Sequence, residues 1–550
     1  VLSTMQDVPL TVTRLLMHGS TIHGTSQVIT WTGEAEPHRR SFADIGARAA
    51  QLAHALHDDL GVRGDERVAT LMWNNAEHVE AYFAIPSMGA VLHTLNLRLP
   101  PEQLAWIVNH AADRVVLVNG SLLPLLAPLL PHLAPIEHVV ISGPGDRSLL
   151  DGANVQVHEY EELLAGKATS YDWPEIDERQ AAAMCYTSGT TGDPKGVVYS
   201  HRSIYLHSMQ VNMAQSMGLT DQDTSLIVVP QFHVNAWGLP HGVFMTGVNM
   251  LMPDRFLQPG PLAEMIEREQ PTHAAAVPTI WQGLLGELQQ RPRDISCMKQ
   301  VTIGGSACPP ALMEAFDKLG ATVCHAWGMT ETSPLGTIAR PPANVVGTEE
   351  EMAYRLTQGR FPAGVEARLV GPAGELLPWD GESAGELEVR GPWIAGSYYG
   401  GAGGENFRPE DKFSEDGWLK TGDVGVISAD GFLTLTDRAK DVIKSGGEWI
   451  SSVELENALM SHPEVAEAAV VAVPDEKWGE RPLATVVLKE GSSADFNQLR
   501  DFLATKIAKW QLPERWSIVE AVPKTSVGKF DKKVIRRQYA EGGLDVVELD

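Results

Sequence analysis

The segment "YTSGTTGDPKG", residues 186–196, places four Ser/Thr hydroxyls, three glycines and one lysine within eleven positions. Gly189 and Gly192 permit positive φ and let the backbone come close to a ligand. Thr187, Ser188, Thr190 and Thr191 supply hydroxyl donors, and Lys195 supplies a positive charge. Together they form a nest suited to phosphate. The P-loop of nucleotidases is the obvious competitor, but its lysine is followed by a Ser or Thr that holds Mg²⁺. Here Lys195 stands between Pro194 and Gly196, so the spacing disfavours a P-loop kinase or ATPase.

On either side of this loop, helical patterns such as "FADIGARAAQLAHALHDDLG" alternate with short β-type runs such as "RVATLM", "RVVLV", "SLIVVP" and "KQVTIGG". That alternation predicts a layered α/β domain with largely parallel strands. From about Val365 the texture changes to hairpins with Gly- and Asp-rich turns, as in "GVISADGFLTLTDRAK", so a β-rich subdomain follows. After Lys440 a smaller α+β unit begins: helix "SSVELENALMSHP", strands "VAEAAVVAVPD" and "RPLATVVLK", helix "FNQLRDFLATKI" and a glycine-bearing tail loop. The expected organisation is an N-terminal domain over 1–437, a hinge over 438–444 and a C-terminal domain over 445–550.

The length of 550 residues allows more than one core, and 43% hydrophobic with 21% charged residues is the balance of a globular chain. A net charge of −27 argues against nucleic acid or an anionic membrane as a partner, because such surfaces need a cationic field. Anionic substrates would then need locally placed lysines and arginines. Cys185, Cys297, Cys308 and Cys324 form no CxxC pair, which points to buried free thiols in a reducing cytoplasm. The N-terminus lacks the pattern of a signal peptide. The apolar run from Leu122 is broken by Pro124, Pro128, Pro131 and Pro135, so it predicts short core-packed segments and no transmembrane segment.

Six motifs then occur in order: "YTSGTTGDPKG", "WGMTE" (327–331), "GELEVRGPWIAGSYYG", "TGD" (421–423), "DRAKDVIKSGGEWI" (437–450) and "PKTSVGK" (523–529). Their order resembles that of the adenylate-forming superfamily, which comprises acyl-CoA synthetases, firefly luciferase and peptide-synthetase adenylation domains. The runs "FHVNAWGLP" and "IKSGGEWISSVELENALMSHPEV" look closest to bacterial medium- and long-chain fatty acyl-CoA synthetases. The resemblance implies a large N-terminal AMP-binding domain, a small mobile C-terminal domain, and ATP, Mg²⁺, coenzyme A and a carboxylic acid as ligands. It also points to a homodimer through the N-terminal domain.

Carried onto this sequence, the resemblance implies that Thr187, Ser188, Gly189, Thr190, Thr191, Gly192 and Lys195 grip the β- and γ-phosphates. It puts Gly305, Ser306, Ala326, Trp327 and Gly328 on the nucleotide, Thr330 on the α-phosphate, and Thr187 and Glu331 on Mg²⁺. Trp327 departs from the tyrosine usual there, although an indole offers a larger stacking face. Asp423 is implied for the ribose hydroxyls and Arg438 for the ribose or phosphate. Lys529, with His233, Thr330 and Glu331, forms the implied catalytic set; its ammonium would bridge the carboxylate and the α-phosphate. Lys440 matches the hinge position, and Lys444, Gly446, Gly447 and Trp449 are implied for coenzyme A after domain rotation.

In the peptide-synthetase domains an aspartate follows the Phe of the "FHVNAW" region to bind an ammonium, whereas His233 follows Phe232 here. An amino-acid substrate is therefore disfavoured. The implied acyl wall is His233, Val234, Asn235, Trp237, Val277, Gly304, Gly305 and Met329, an apolar surface with small residues where an alkyl chain could run. Trp237 looks like the aromatic that gates the acyl tunnel. As a fixed stopper it would instead favour short or medium acids, including small thioether acids. A luciferase-like adenylating oxygenase shares the same nucleotide motifs.

Overall fold

The computed structural model describes the chain apart from residues 2, 188–192, 372, 446–447, 493, 525–529 and 550. It forms two compact units, Val1–Glu366 with Val389–Leu419, and Ala367–Glu388 with Lys420–Asp550.

In the first unit, one sheet runs Gln156–Glu159, His138–Ser142, Val115–Asn119, Arg67–Leu71, Val91–Thr94, Ala181–Tyr186 and Gly196–Ser200 in spatial order. Its strands are parallel up to Ala181–Tyr186, and the last pair is antiparallel. Val115–Asn119 and His138–Ser142 are buried at every position, as expected of parallel strands covered on both faces. A second sheet of this unit lines up Asn249–Met252, Thr224–Ile227, His273–Ala276, Gln300–Ile303 and Thr322–Gly328, all parallel. Thr322–Gly328 then turns back into Leu335–Ile338.

Helix Phe42–His54 starts at a capping box in which Ser41 and Asp44 satisfy each other's backbone amides. The neighbouring helix Ala76–Ser87 buries a carboxylate, Glu80. Arg48 Nε at 2.7 Å and the Tyr160 hydroxyl at 2.6 Å compensate it. The proline-broken run from Leu122 forms the short helix Leu123–Leu126 and the 3₁₀ turn Leu130–His132, with Leu123, Leu126, Leu129, Leu130 and Leu133 in the core. Among the described residues no helix is long and apolar enough to cross a membrane.

The second unit contains the antiparallel pairs Glu366–Val370 with Leu376–Leu377 and Leu419–Ile427 with Phe432–Arg438. A further sheet sets Val465–Asp475 antiparallel to Gly479–Leu488, which runs parallel to Arg515–Ile518. The expected cut at 438–444 lies inside this unit. Strand Phe432–Arg438 is tied to helix Ser452–Met460: Ser451 Oγ donates to the Thr436 carbonyl at 2.5 Å and the Ser452 amide donates to the Asp437 carboxylate. Lys532 completes the cluster, 2.8 Å from Glu456 and 2.6 Å from Ser452 Oγ.

Candidate active site

The loop of residues 186–196 is the connection of a hairpin. Tyr186 pairs with Gly196, and one step further the Thr187 amide donates to the Lys195 carbonyl at 2.9 Å. Thr187 Oγ1 accepts from the Lys195 amide at 3.3 Å, so this hydroxyl helps to close the base of the loop. Ser188, Gly189, Thr190, Thr191 and Gly192 lie outside the described residues.

Lys195 extends over the ring of Tyr398, its Nζ 5.3 Å from the ring centre. The hydroxyl of Tyr398 donates to Glu331 Oε1 at 2.7 Å. Glu331 sits on the 3₁₀ turn Thr330–Thr332, whose position is fixed from two sides: Tyr199 Oη donates to the Thr330 carbonyl at 2.8 Å, and the Ala395 amide donates to the Glu331 carbonyl at 2.8 Å. Burial and the neighbouring Glu331 charge push the Tyr398 phenol far above its usual range, so it stays a donor. Below the loop, the Tyr186 hydroxyl and His110 Nδ1 are 2.7 Å apart. Burial lowers the His110 pKa, which keeps the ring neutral and able to accept.

Trp327 lies across Gly336 of the returning strand, where a methyl group would stand 2.2 Å from the indole. Gly328 and Met329 follow it into the turn that carries Thr330 and Glu331, and Ser306 is exposed.

The acyl candidates partly converge. Residues Val234, Asn235, Ala236 and Trp237 all have φ between 47° and 57°, and Gly238 follows at 71°. The segment is thus one left-handed helical turn, a conformation that costs each non-glycine residue roughly 1–2 kcal/mol. Gly238 is required at its end, because a Cβ there would lie 2.6 Å from the His207 ring. The turn aims the Trp237 indole at Gly304, where a methyl group would meet both Cη2 of Trp237 and the Ala326 carbonyl at 3.2 Å. At Gly305 a methyl group would be 3.2 Å from Val277, which is 37% exposed. His233, by contrast, is exposed at the start of the turn.

In the second unit, Asp423 and Arg438 are paired across neighbouring strands, with Arg438 Nε 2.8 Å from Asp423 Oδ1. The carboxylate side chain is 4% exposed and the arginine 49%, so an embedded acceptor stands beside a reachable donor fork. Lys440 is exposed, its carbonyl accepting from Arg536 at 3.1 Å. Lys444 lies in strand Ile443–Ser445, opposite Trp449 in backbone register. Gly446, Gly447 and Lys529 lie outside the described residues.

Sequence reasoning passed over Tyr398, Tyr199 and His110. Tyr398 stood inside the quoted "GSYYG" motif, and its polar hydroxyl among buried aromatics was the available signal.

The Tyr398 side chain thus brings a cation on its ring face and a buried carboxylate at its hydroxyl together in one place. Residues 23–399 match the family model described as AMP-binding enzyme, and residues 454–529 match that of the AMP-binding enzyme C-terminal domain. The chain is 43% identical to 3-methylmercaptopropionyl-CoA ligase of Ruegeria pomeroyi, over 98% of this chain and 99% of that protein. It is 40% identical to medium-chain-fatty-acid–CoA ligase of Ectopseudomonas oleovorans, over 98% of each. Among solved structures, that of the anthranilate CoA ligase AuaEII in complex with anthranoyl-AMP superposes with a TM-score of 0.82 at 26% identity, covering 98% of this chain and all (100%) of that one. The chain therefore belongs to the AMP-binding enzyme family.

Proposed function

We propose that the protein is an AMP-forming acid–thiol ligase that joins a medium- or long-chain fatty acid to coenzyme A. The apolar side chains of Trp237 at Gly304 and Val277 at Gly305 support an aliphatic acid, and the similarity to medium-chain-fatty-acid–CoA ligase supports its length. No ammonium partner follows Phe232, which supports an acid without an amine.

In the first half-reaction the carboxylate oxygen attacks the α-phosphorus of ATP and the bond to pyrophosphate breaks, giving acyl-adenylate. In the second, the sulfur of coenzyme A attacks the acyl carbon, the thiol proton leaves to solvent, and AMP departs. Both steps crowd negative charge, so positioned cations and donors lower the barrier. Lys195 supplies such a cation, and Thr330 lies on a turn held from two sides. Glu331 fits Mg²⁺, which is bound through one or two carboxylates with substrate phosphates completing the shell. When bound, Mg²⁺ neutralises charge on the phosphate oxygens. Thr187 remains our second candidate ligand, with Asp423 and Arg438 for the ribose and Lys529 for the α-phosphate. Rotation about Lys440 would bring Lys444, Gly446, Gly447 and Trp449 to coenzyme A and withdraw Lys529. We place the reaction in the cytoplasm, in keeping with four free cysteines.

A second reading, ligation of a short or thioether acid, is favoured by the indole resting on Gly304, which shortens the pocket. The similarity to 3-methylmercaptopropionyl-CoA ligase supports it too. The deciding experiment measures acid-dependent pyrophosphate release, then thioester formation, for acids of two to eighteen carbons and 3-(methylthio)propionate. Turnover rising with chain length supports the first reading, and a maximum at the thioether acid selects the second. Oxygen consumption would mark an adenylating oxygenase, and no pyrophosphate release with any acid would overturn the ligase.

A further inference from the structure

The left-handed turn is held by more than its own backbone. Asn235 Oδ1 accepts from the Cys185 thiol at 3.1 Å and from the Thr94 hydroxyl at 3.3 Å, and all three groups are buried. Thr94 ends the strand Val91–Thr94 and Cys185 is the last residue but one of Ala181–Tyr186, so the anchor belongs to the sheet. Burial raises the Cys185 pKa, which leaves the thiol protonated and able to donate. Asparagine is the one residue type of the four that tolerates this backbone; Val234 is β-branched, and Trp237 is bulky. The amides of Ala236 and Gly238 close the turn by donating to the carbonyls of His233 and Asn235 at 3.1 and 3.0 Å. Behind it, Tyr199, Ile204, His207, Val234, Asn235 and His241 help to line a small cavity of about 10 Å³.

We propose that Asn235 is a specificity-determining positioning residue: its clasp by Cys185 and Thr94 holds the left-handed turn, and the turn holds the Trp237 indole on Gly304, which sets how long an acid the pocket accepts. This rests on the acid-ligase reading above. Without the clasp, Val234–Trp237 relaxes towards right-handed backbone, the indole leaves Gly304, and longer acids enter. The substrate class is an unbranched aliphatic or thioether monocarboxylic acid whose length limit is set by the turn.

The test compares wild type, Asn235→Ala, Trp237→Ala and the double variant for kcat/KM across acids of two to eighteen carbons. Acid affinity is measured in parallel by calorimetry without ATP. Asn235→Ala is expected to raise the long-to-short ratio about tenfold, and to change it by less than about twofold when Trp237 is already alanine. Cys185→Ser keeps a hydrogen-bond donor and retains the wild-type profile, whereas Cys185→Ala with Thr94→Val shifts it as Asn235→Ala does. A uniform loss across all acids, additive effects of the Asn235 and Trp237 substitutions, or an unshifted profile in the paired donor variant would overturn the clasp. A shifted affinity profile without pyrophosphate release would uphold the clasp and sink the ligase reading instead.

Discussion

Replacing Tyr398 by phenylalanine removes one oxygen and leaves the ring that underlies Lys195, so the cation–π contact at 5.3 Å is retained. What is lost is the 2.7 Å bond to Glu331 Oε1. Donor and acceptor residues are 1% and 6% exposed, so no bulk water replaces it. A hydrogen bond to a charged group contributes about 1.5–3 kcal/mol. Groups that orient a metal-binding carboxylate typically change metal affinity or activity by about 10–100-fold when mutated. Tyr398→Phe is therefore expected to raise the Mg²⁺ concentration for half-maximal pyrophosphate release by about 10–100-fold. Thioester formation from supplied acyl-adenylate involves no polyphosphate and should change little. The assay titrates Mg²⁺ at saturating ATP and acid, with the second half-reaction as internal control. An unchanged Mg²⁺ requirement, or equal loss in both half-reactions, would refute the orienting role.

Asp423→Asn keeps shape but removes the ionised acceptor that Arg438 grips at 2.8 Å; the KM for ATP should rise about 10–100-fold, and steady-state kinetics showing an unaltered KM would remove Asp423 from the ribose. Trp237→Ala clears the indole from Gly304 and should extend turnover to longer acids, each added CH₂ contributing about 0.8 kcal/mol, so an unchanged chain-length profile would count against gating. Burial lowers the pKa of His78 and His207 to about 3, and of His201, His241 and His273 to about 4. In the unfolded chain these rings take up protons near the ordinary 6.5, before the folded ones do, so their contribution is full above 6.5 and is lost as pH falls towards 4. Thermal unfolding should show a melting temperature level above about pH 7 and falling by pH 5, and a level curve throughout would contradict their neutral burial.

The parallel strands were legible because full burial writes itself as short continuous apolar runs, as in Val115–Asn119. The hairpin of Leu419–Ile427 and Phe432–Arg438 was legible through its Asp-Gly turn. The unit boundary was harder to read. A texture change marks where a new fold pattern starts, but the strand before it is held by Ser451 and Ser452 from beyond the cut. Tyr398 escaped notice for a related reason: its partner Glu331 is 67 positions away, and only the fold brings them together. Spacing rules see neighbours along an element, not pairs made by topology.

The left-handed turn is the deepest such case. "VNAW" contains no glycine, and local propensity offers no reason for four successive positive φ values. At roughly 1–2 kcal/mol per residue, the conformation costs about 4–8 kcal/mol. Burial of Val234 and Trp237 returns about 1.5–3 kcal/mol each, and the two bonds to Asn235 add about 1 kcal/mol apiece. The two sides balance within a few kcal/mol. A turn this near to balance is one where a single side-chain bond or a few methylenes of an entering acyl chain can decide the conformation. On the proposal above, the tertiary contacts of Asn235 would then control the length of acid accepted, with Trp237 as the side chain they position.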